Sequence, residues 1–141
     1  MSSTTVSVEV SATPKEVWQL IGGFGSLPEW VPGISQRELS DGGRVRHLQD
    51  PQGHKFVEQL ERYDSAAHSY SYSIVKSPVP VSDYLSTLQV TPIEGGKRSR
   101  VEWSSVFTPV GITEKEATDI FHSLYSSNLK ALVSRYANRN T

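Results

Sequence analysis

Six polar side chains interrupt otherwise apolar periodic patterns: Glu58, Tyr72, Tyr84, Ser86, Ser105 and Asn128. In a β-strand alternate residues share a side, so a period-two reading assigns them to a face. Across Lys55–Tyr63, Phe56, Glu58 and Leu60 lie opposite Lys55, Val57, Gln59 and Glu61, although Val57 competes with Phe56 for the inner side. Tyr70, Tyr72 and Ile74 oppose a row of serines. Tyr84, Ser86, Leu88 and Val90 oppose Asp83, Leu85, Thr87 and Gln89, while Val101, Trp103, Ser105 and Phe107 oppose Glu102, Ser104 and Val106. Burying one polar group without a partner costs about 1–3 kcal/mol, and an unpaired carboxylate costs more. Several together are more cheaply explained by a solvated, ligand-sized cavity, since small-molecule sites combine apolar walls with a few convergent polar groups.

Glu58 is the sharpest candidate for chemistry. An inward carboxylate can orient a ligand hydroxyl, or act as a base if burial raises its pKa. It can equally pair with an arginine or tyrosine. Tyr72 and Tyr84 can aim hydroxyls at a ligand or leave them on water. Trp30 and Trp103 suit a cavity wall or ordinary core, and Asn128 suits the cavity or a bond to a strand carbonyl. Asp83 and Glu102 read as solvated.

Other chemistries find little support. His47, His54, His68 and His122 show no metal-ligand spacing, and the absence of cysteine removes thiolate sites and disulfides. Gly22-Gly23-Phe24-Gly25 follows a helical pattern where a dinucleotide motif requires a strand. Ser26 sits in no Gly-x-Ser-x-Gly elbow. No metal or cofactor is expected.

The elements that must position these residues can be read in order. Val6, Val8 and Val10 alternate in a strand over Thr5–Ser11, with residues 1–4 expected to fray. Thr13-Pro14-Lys15-Glu16 starts a helix with a capping box and a proline at its first position, and Val17, Trp18, Leu20 and Ile21 give it an apolar face. Phe24–Gly33 is dense in proline and glycine and reads as a short helical turn or loop. Strand patterns follow at Ile34–Leu39, Arg44–Gln49, Lys55–Tyr63, Ser69–Val75, Ser82–Thr91 and Arg98–Phe107, separated by turn signals such as Asp41-Gly42-Gly43 and Glu94-Gly95-Gly96.

Thr113 to about Asn138 reads as one amphipathic helix, roughly 39 Å long. Thr113 and Glu116 form its capping box. Ala117, Ile120, Phe121, Leu124, Asn128, Ala131 and Leu132 recur on one face, widened by Leu129, Val133 and Tyr136, with Arg135 and Arg139 mostly off it. Only this helix is long enough to cover the apolar face of the sheet. The expected architecture is therefore α+β: seven antiparallel strands curved around a long C-terminal helix, with two short helices after the first strand.

The 141 residues fit one domain, taken as residues 1–141. A net charge of −1 argues against a nucleic-acid surface. No run approaches the length of a membrane span and no secretory signal pattern opens the chain, so cytoplasm is the default location.

Thr13-Pro14-Lys15-Glu16-Val17-Trp18, Phe24…Pro28-Glu29-Trp30…Pro32-Gly33, Val57-Glu58-Gln59-Leu60-Glu61 and Val81…Tyr84…Ser86, in this order, resemble the START-like or helix-grip superfamily, in its polyketide cyclase/dehydrase branch. The resemblance spans about residues 4–138 and implies a hydrophobic ligand cavity between sheet and final helix. Plant abscisic-acid receptors are similar in layout. Glu58, Tyr84, Ser86 and Asn128, with Leu124 and Ile120 one and two turns earlier on the helix, fall at their pocket positions. Val31 stands where those receptors place a lysine for the ligand carboxylate, and Asp50-Pro51-Gln52-Gly53 replaces their gate loop, so reception of an acidic hormone is not implied.

The ligand-binding set expected is Trp30, Val31, Phe56, Glu58, Tyr72, Tyr84, Ser86, Trp103, Ile120, Leu124 and Asn128. The expected partner is a small hydrophobic or aromatic ligand, lipid- or polyketide-like, held by a carrier that is a monomer or weak homodimer. The alternative is a cyclase or dehydratase using Glu58 or a pocket tyrosine as acid or base. The sequence leaves open whether the Pro78–Val81 or the Asp50–Gly53 loop gates the pocket.

Overall fold

The computed structural model describes residues 2–137, apart from the side chains of residues 36 and 37. Its strands are β1 (Ser2–Val10), β2 (Ser35–Ser40), β3 (Val45–Gln49), β4 (Lys55–Asp64), β5 (Ser69–Lys76), β6 (Val81–Ile93) and β7 (Arg98–Pro109). Two short helices, α1 (Pro14–Ile21) and α2 (Leu27–Trp30), lie between β1 and β2, and α3 (Glu114–Ala137) closes the chain. The strands form one seven-stranded sheet in the order β1-β7-β6-β5-β4-β3-β2, antiparallel at every pairing. This is the expected α+β, helix-grip architecture.

Local chemistry fixes the turns. Gly42 and Gly95 both adopt φ 68°, in one-turn helices at Asp41–Gly43 and Glu94–Gly96, a left-handed backbone that glycine enters without a Cβ penalty. Bulges curve the sheet. The β4–β5 register shifts between Val57 and Glu58 and again between Leu60 and Arg62, and the β6–β7 register shifts between Ser82 and Leu85. An extra residue on one strand bends it and increases the local twist.

The helices start as their capping boxes dictate. Thr13 Oγ1 accepts from the Glu16 amide at 3.2 Å, and Thr113 Oγ1 accepts from the Glu116 amide at 3.0 Å. Glu16 and Glu116 accept in return from the Thr13 and Thr113 amides. Helix α3 lies against β1 and β7 and buries Ala117, Phe121, Tyr125, Asn128, Leu129, Leu132 and Tyr136.

Two expectations are corrected. Residues 2–4 are not frayed: Ser2, Ser3 and Thr4 pair with Phe107, Val106 and Ser105, because the edge of β7 satisfies their backbone groups. The buried face of α3 is rotated from the expected stripe. Tyr125 takes the interior, while Ile120 and Leu124 remain 42% and 45% exposed. The expected helix end at Asn138, and Arg139 beyond it, lie outside the described residues.

Candidate functional site

A cavity of about 120 Å³ opens between the inner face of β3–β7, α2 and the middle of α3. Of the expected site residues, Val31, Phe56, Glu58, Tyr72, Tyr84, Trp103, Leu124 and Asn128 line it. Three do not. Trp30 is buried beside Trp103, with ring centroids 5.6 Å apart, and packs as core. Ser86 is fully buried and its hydroxyl is turned away, donating to the Ser104 carbonyl at 2.9 Å. Ile120 faces outward because of the rotation of α3.

The wall also includes Leu27, Ile34, Leu48, Asp50, Ile74, Val79 and Phe121. Ile74 shares the inward side of β5 with Tyr72, and Phe121 sits on the α3 stripe, so both carried a readable signal. Leu27 and Ile34 flank the proline-rich segment and carried none. Asp50 and Val79 come from the two turns whose gating role the sequence left open. The Asp50 turn is tied by its own carboxylate: Oδ1 accepts from the Gln52 and His54 amides, and Oδ2 meets His54 Nδ1 at 2.9 Å. The segment carrying Val79 is pinned by the Val110 amide donating to the Pro80 carbonyl at 2.9 Å.

Glu58 reaches the cavity through a partner the sequence reading missed. Arg46 faces it directly across β3–β4 and is wholly buried. Arg46 Nε donates to Glu58 Oε1 at 2.8 Å, and Nη2 lies 2.8 Å from the same oxygen without hydrogen-bond alignment. Nη1 donates to the Phe24 carbonyl at 3.0 Å and to the Tyr70 hydroxyl at 3.3 Å. The guanidinium also stacks 4.2 Å from the Phe24 ring centroid and 4.7 Å from that of Tyr72. Burial alone would lower the Arg46 pKa, but Tyr70 and Glu58 beside it outweigh burial and raise it. The β4–β5 register shifts beside Glu58, where Val75 is the extra residue on β5, so the sheet bends next to this side chain. Arg46 engages Oε1 only, and Glu58 Oε2, on a side chain that lines the cavity, has no hydrogen-bond partner among the described residues.

The remaining polar groups mostly satisfy one another. Trp103 Nε1 donates to Tyr72 Oη at 3.1 Å and to Ser86 Oγ at 3.0 Å, and its ring stacks on Tyr125 with centroids 4.6 Å apart. The Tyr84 and Tyr125 hydroxyls are hydrogen-bonded to each other. Burial, together with neighbouring groups such as Glu58 and Tyr125, pushes the Tyr72 hydroxyl well above the usual tyrosine range. Burial and Tyr72 do the same to Tyr84. Asn128 is buried against the cavity, and its amide has no hydrogen-bond partner among the described residues. Among those residues no cluster of histidine, aspartate and glutamate could hold a metal ion, and no helix is long and apolar enough to cross a membrane.

Comparison with known proteins matches this arrangement. Residues 1–137 fit the family described as polyketide cyclase / dehydrase and lipid transport. The structure of the protein XoxI from Bacillus cereus is 46% identical, covers 100% of this chain and 99% of its own, and superposes with a TM-score of 0.96. An uncharacterized protein from Bacillus thuringiensis is also 46% identical, covering 97% of this chain and 100% of its own, with a TM-score of 0.94. A START superfamily protein from Mycobacterium smegmatis shares the fold at 14% identity and a TM-score of 0.75, covering 97% of this chain and 98% of its own. With its curved seven-stranded sheet, its gripped C-terminal helix and this match over nearly its whole length, the chain belongs to the polyketide cyclase/dehydrase and lipid transport family.

Proposed function

We propose that this protein is a binding or carrier domain that encloses a small hydrophobic or aromatic ligand between the sheet and α3. The observation that carries this reading is a mostly apolar cavity into which two polar groups, Glu58 Oε2 and the Asn128 amide, project without a protein partner among the described residues. Stranding both costs about 1–3 kcal/mol each unless water or a ligand meets them. The ligand-contact set proposed is Val31, Phe56, Glu58, Tyr72, Tyr84, Trp103, Leu124 and Asn128. Native mass spectrometry of freshly purified protein tests the reading. A small molecule carried with the chain, or regained from a panel of aromatic and lipid ligands, is the expected result. Failure to bind any of them counts against it.

The family description also covers cyclases and dehydrases, and the open oxygen of Glu58 is the one feature that favours an enzymatic reading. The holding role is better supported, because the other oxygen of Glu58 is engaged by Arg46 and the tyrosine hydroxyls are kept neutral by burial. An enzyme built on Glu58 would lose turnover in Glu58→Gln while keeping its ligand.

A further inference from the structure

The charge and size of the cavity narrow its ligand further, an inference that rests on reading the site as a ligand cavity. Among the described residues its wall carries two carboxylates, Asp50 and Glu58, and no lysine, arginine or histidine. The buried cation beside it, Arg46, lies behind Glu58 with none of its surface exposed, and its donors are turned to Glu58, Phe24 and Tyr70. A ligand carboxylate would therefore meet the Glu58 charge with no cation to receive it, in surroundings that screen poorly. A ligand ammonium fares little better. Arg46 already balances the Glu58 charge, and the Asp50 carboxylate is taken up by the Gln52 and His54 amides and His54 Nδ1, so neither is free to compensate an added cation.

What the closed pair leaves available is an acceptor atom, Glu58 Oε2, on an assembly with no net charge. The cavity volume of about 120 Å³ is slightly below the roughly 150 Å³ of an apolar cavity that holds one benzene ring. We infer that the site takes an uncharged single-ring ligand carrying a hydroxyl, a phenol or aryl alcohol, whose O–H donates to Glu58 Oε2.

Calorimetry at neutral pH with p-cresol, toluene, benzylamine and benzoate tests this. p-Cresol should bind about tenfold or more tighter than toluene, as expected for a hydrogen bond to a charged acceptor. Benzylamine and benzoate should bind more weakly than toluene. In the double variant Arg46→Met/Glu58→Leu, which replaces the pair by apolar side chains without stranding a charge, p-cresol and toluene should bind alike. Benzoate or benzylamine binding as tightly as p-cresol would overturn the inference while leaving the cavity reading intact. So would a p-cresol advantage that survives in the double variant. The ranking in the unaltered protein decides the matter even if that variant does not fold. Absence of binding by all four probes, toluene included, would overturn the cavity reading together with the inference.

Discussion

Arg46→Met is the perturbation that most sharply tests how the site is held. The substitution keeps much of the side-chain volume but removes the cation 2.8 Å from Glu58, leaving a carboxylate only 8% exposed. Breaking a buried pair from one side costs about 3–5 kcal/mol, because the remaining charge is stranded. Against a typical total stability of about 5–15 kcal/mol, that loss leaves the fold marginal. Removing both charges tells a different story: Arg46→Met/Glu58→Leu should recover most of the loss, since well-packed apolar replacements of buried pairs are often neutral or stabilising. The Lys115–Asp119 pair on α3 is a control, with side chains 84% and 60% exposed, and Lys115→Met should leave stability close to unchanged. Urea unfolding is the assay, with the midpoint reporting stability and the slope reporting any change in the surface exposed. A loss below about 1 kcal/mol in the single variant, or a double variant no more stable than the single one, would refute the reasoning.

Three further outcomes are expected. Thr113→Ala should cost about 1 kcal/mol by removing the α3 cap. The Thr113 backbone amide holds the Glu116 carboxyl below its ordinary value of 4.5, so this cap's contribution is complete above that pH and lost as pH falls through the depressed folded-state value; acid unfolding of the Thr113 and Glu116 variants measures it. At the alkaline end, Tyr72, Tyr84 and Tyr125 are raised above 10.0 chiefly by burial, so their contribution is present below pH 10 and lost as pH climbs toward the folded-state values; tyrosinate absorbance should show them ionising together with unfolding. Phe121→Ala should cost about 3–5 kcal/mol and Ile120→Ala about 0.5 kcal/mol or less, a contrast in thermal or urea unfolding that follows from the rotation of α3.

The sheet was legible because its strands alternate cleanly and its turns carry glycine where the backbone must be left-handed. The inner faces of β6 and β7 follow directly from Tyr84, Ser86, Leu88 and Val90, and from Val101, Trp103, Ser105 and Phe107. Arg46 was missed for a physical reason. Alternation in β3 places it on the same side as Leu48, but an arginine there reads as solvated until the strand register sets it opposite Glu58. Register depends on pairing across the sheet, which no local pattern states. The phase of α3 failed similarly. Ile120 is as apolar as Phe121, and only packing against β1 and β7 selects which of the two turns inward. The polar Ser2–Thr4 segment reads as frayed because its side chains have no core preference, yet its backbone pairs along β7. Ser86 was placed on the correct face, but its hydroxyl found a strand carbonyl before it could find a ligand.

The indole N–H resonances of the three tryptophans test the central claim most directly. Trp103 lines the cavity, whereas Trp18 stacks against His68 at 5.4 Å and Tyr63 at 5.7 Å, away from the cavity wall. Titration with p-cresol followed by nitrogen–proton correlation spectra should shift the Trp103 indole signal progressively and leave that of Trp18 in place. A Trp103 signal that stays fixed through the titration, or a response confined to Trp18, would show that the space between sheet and helix is not where a small ring binds.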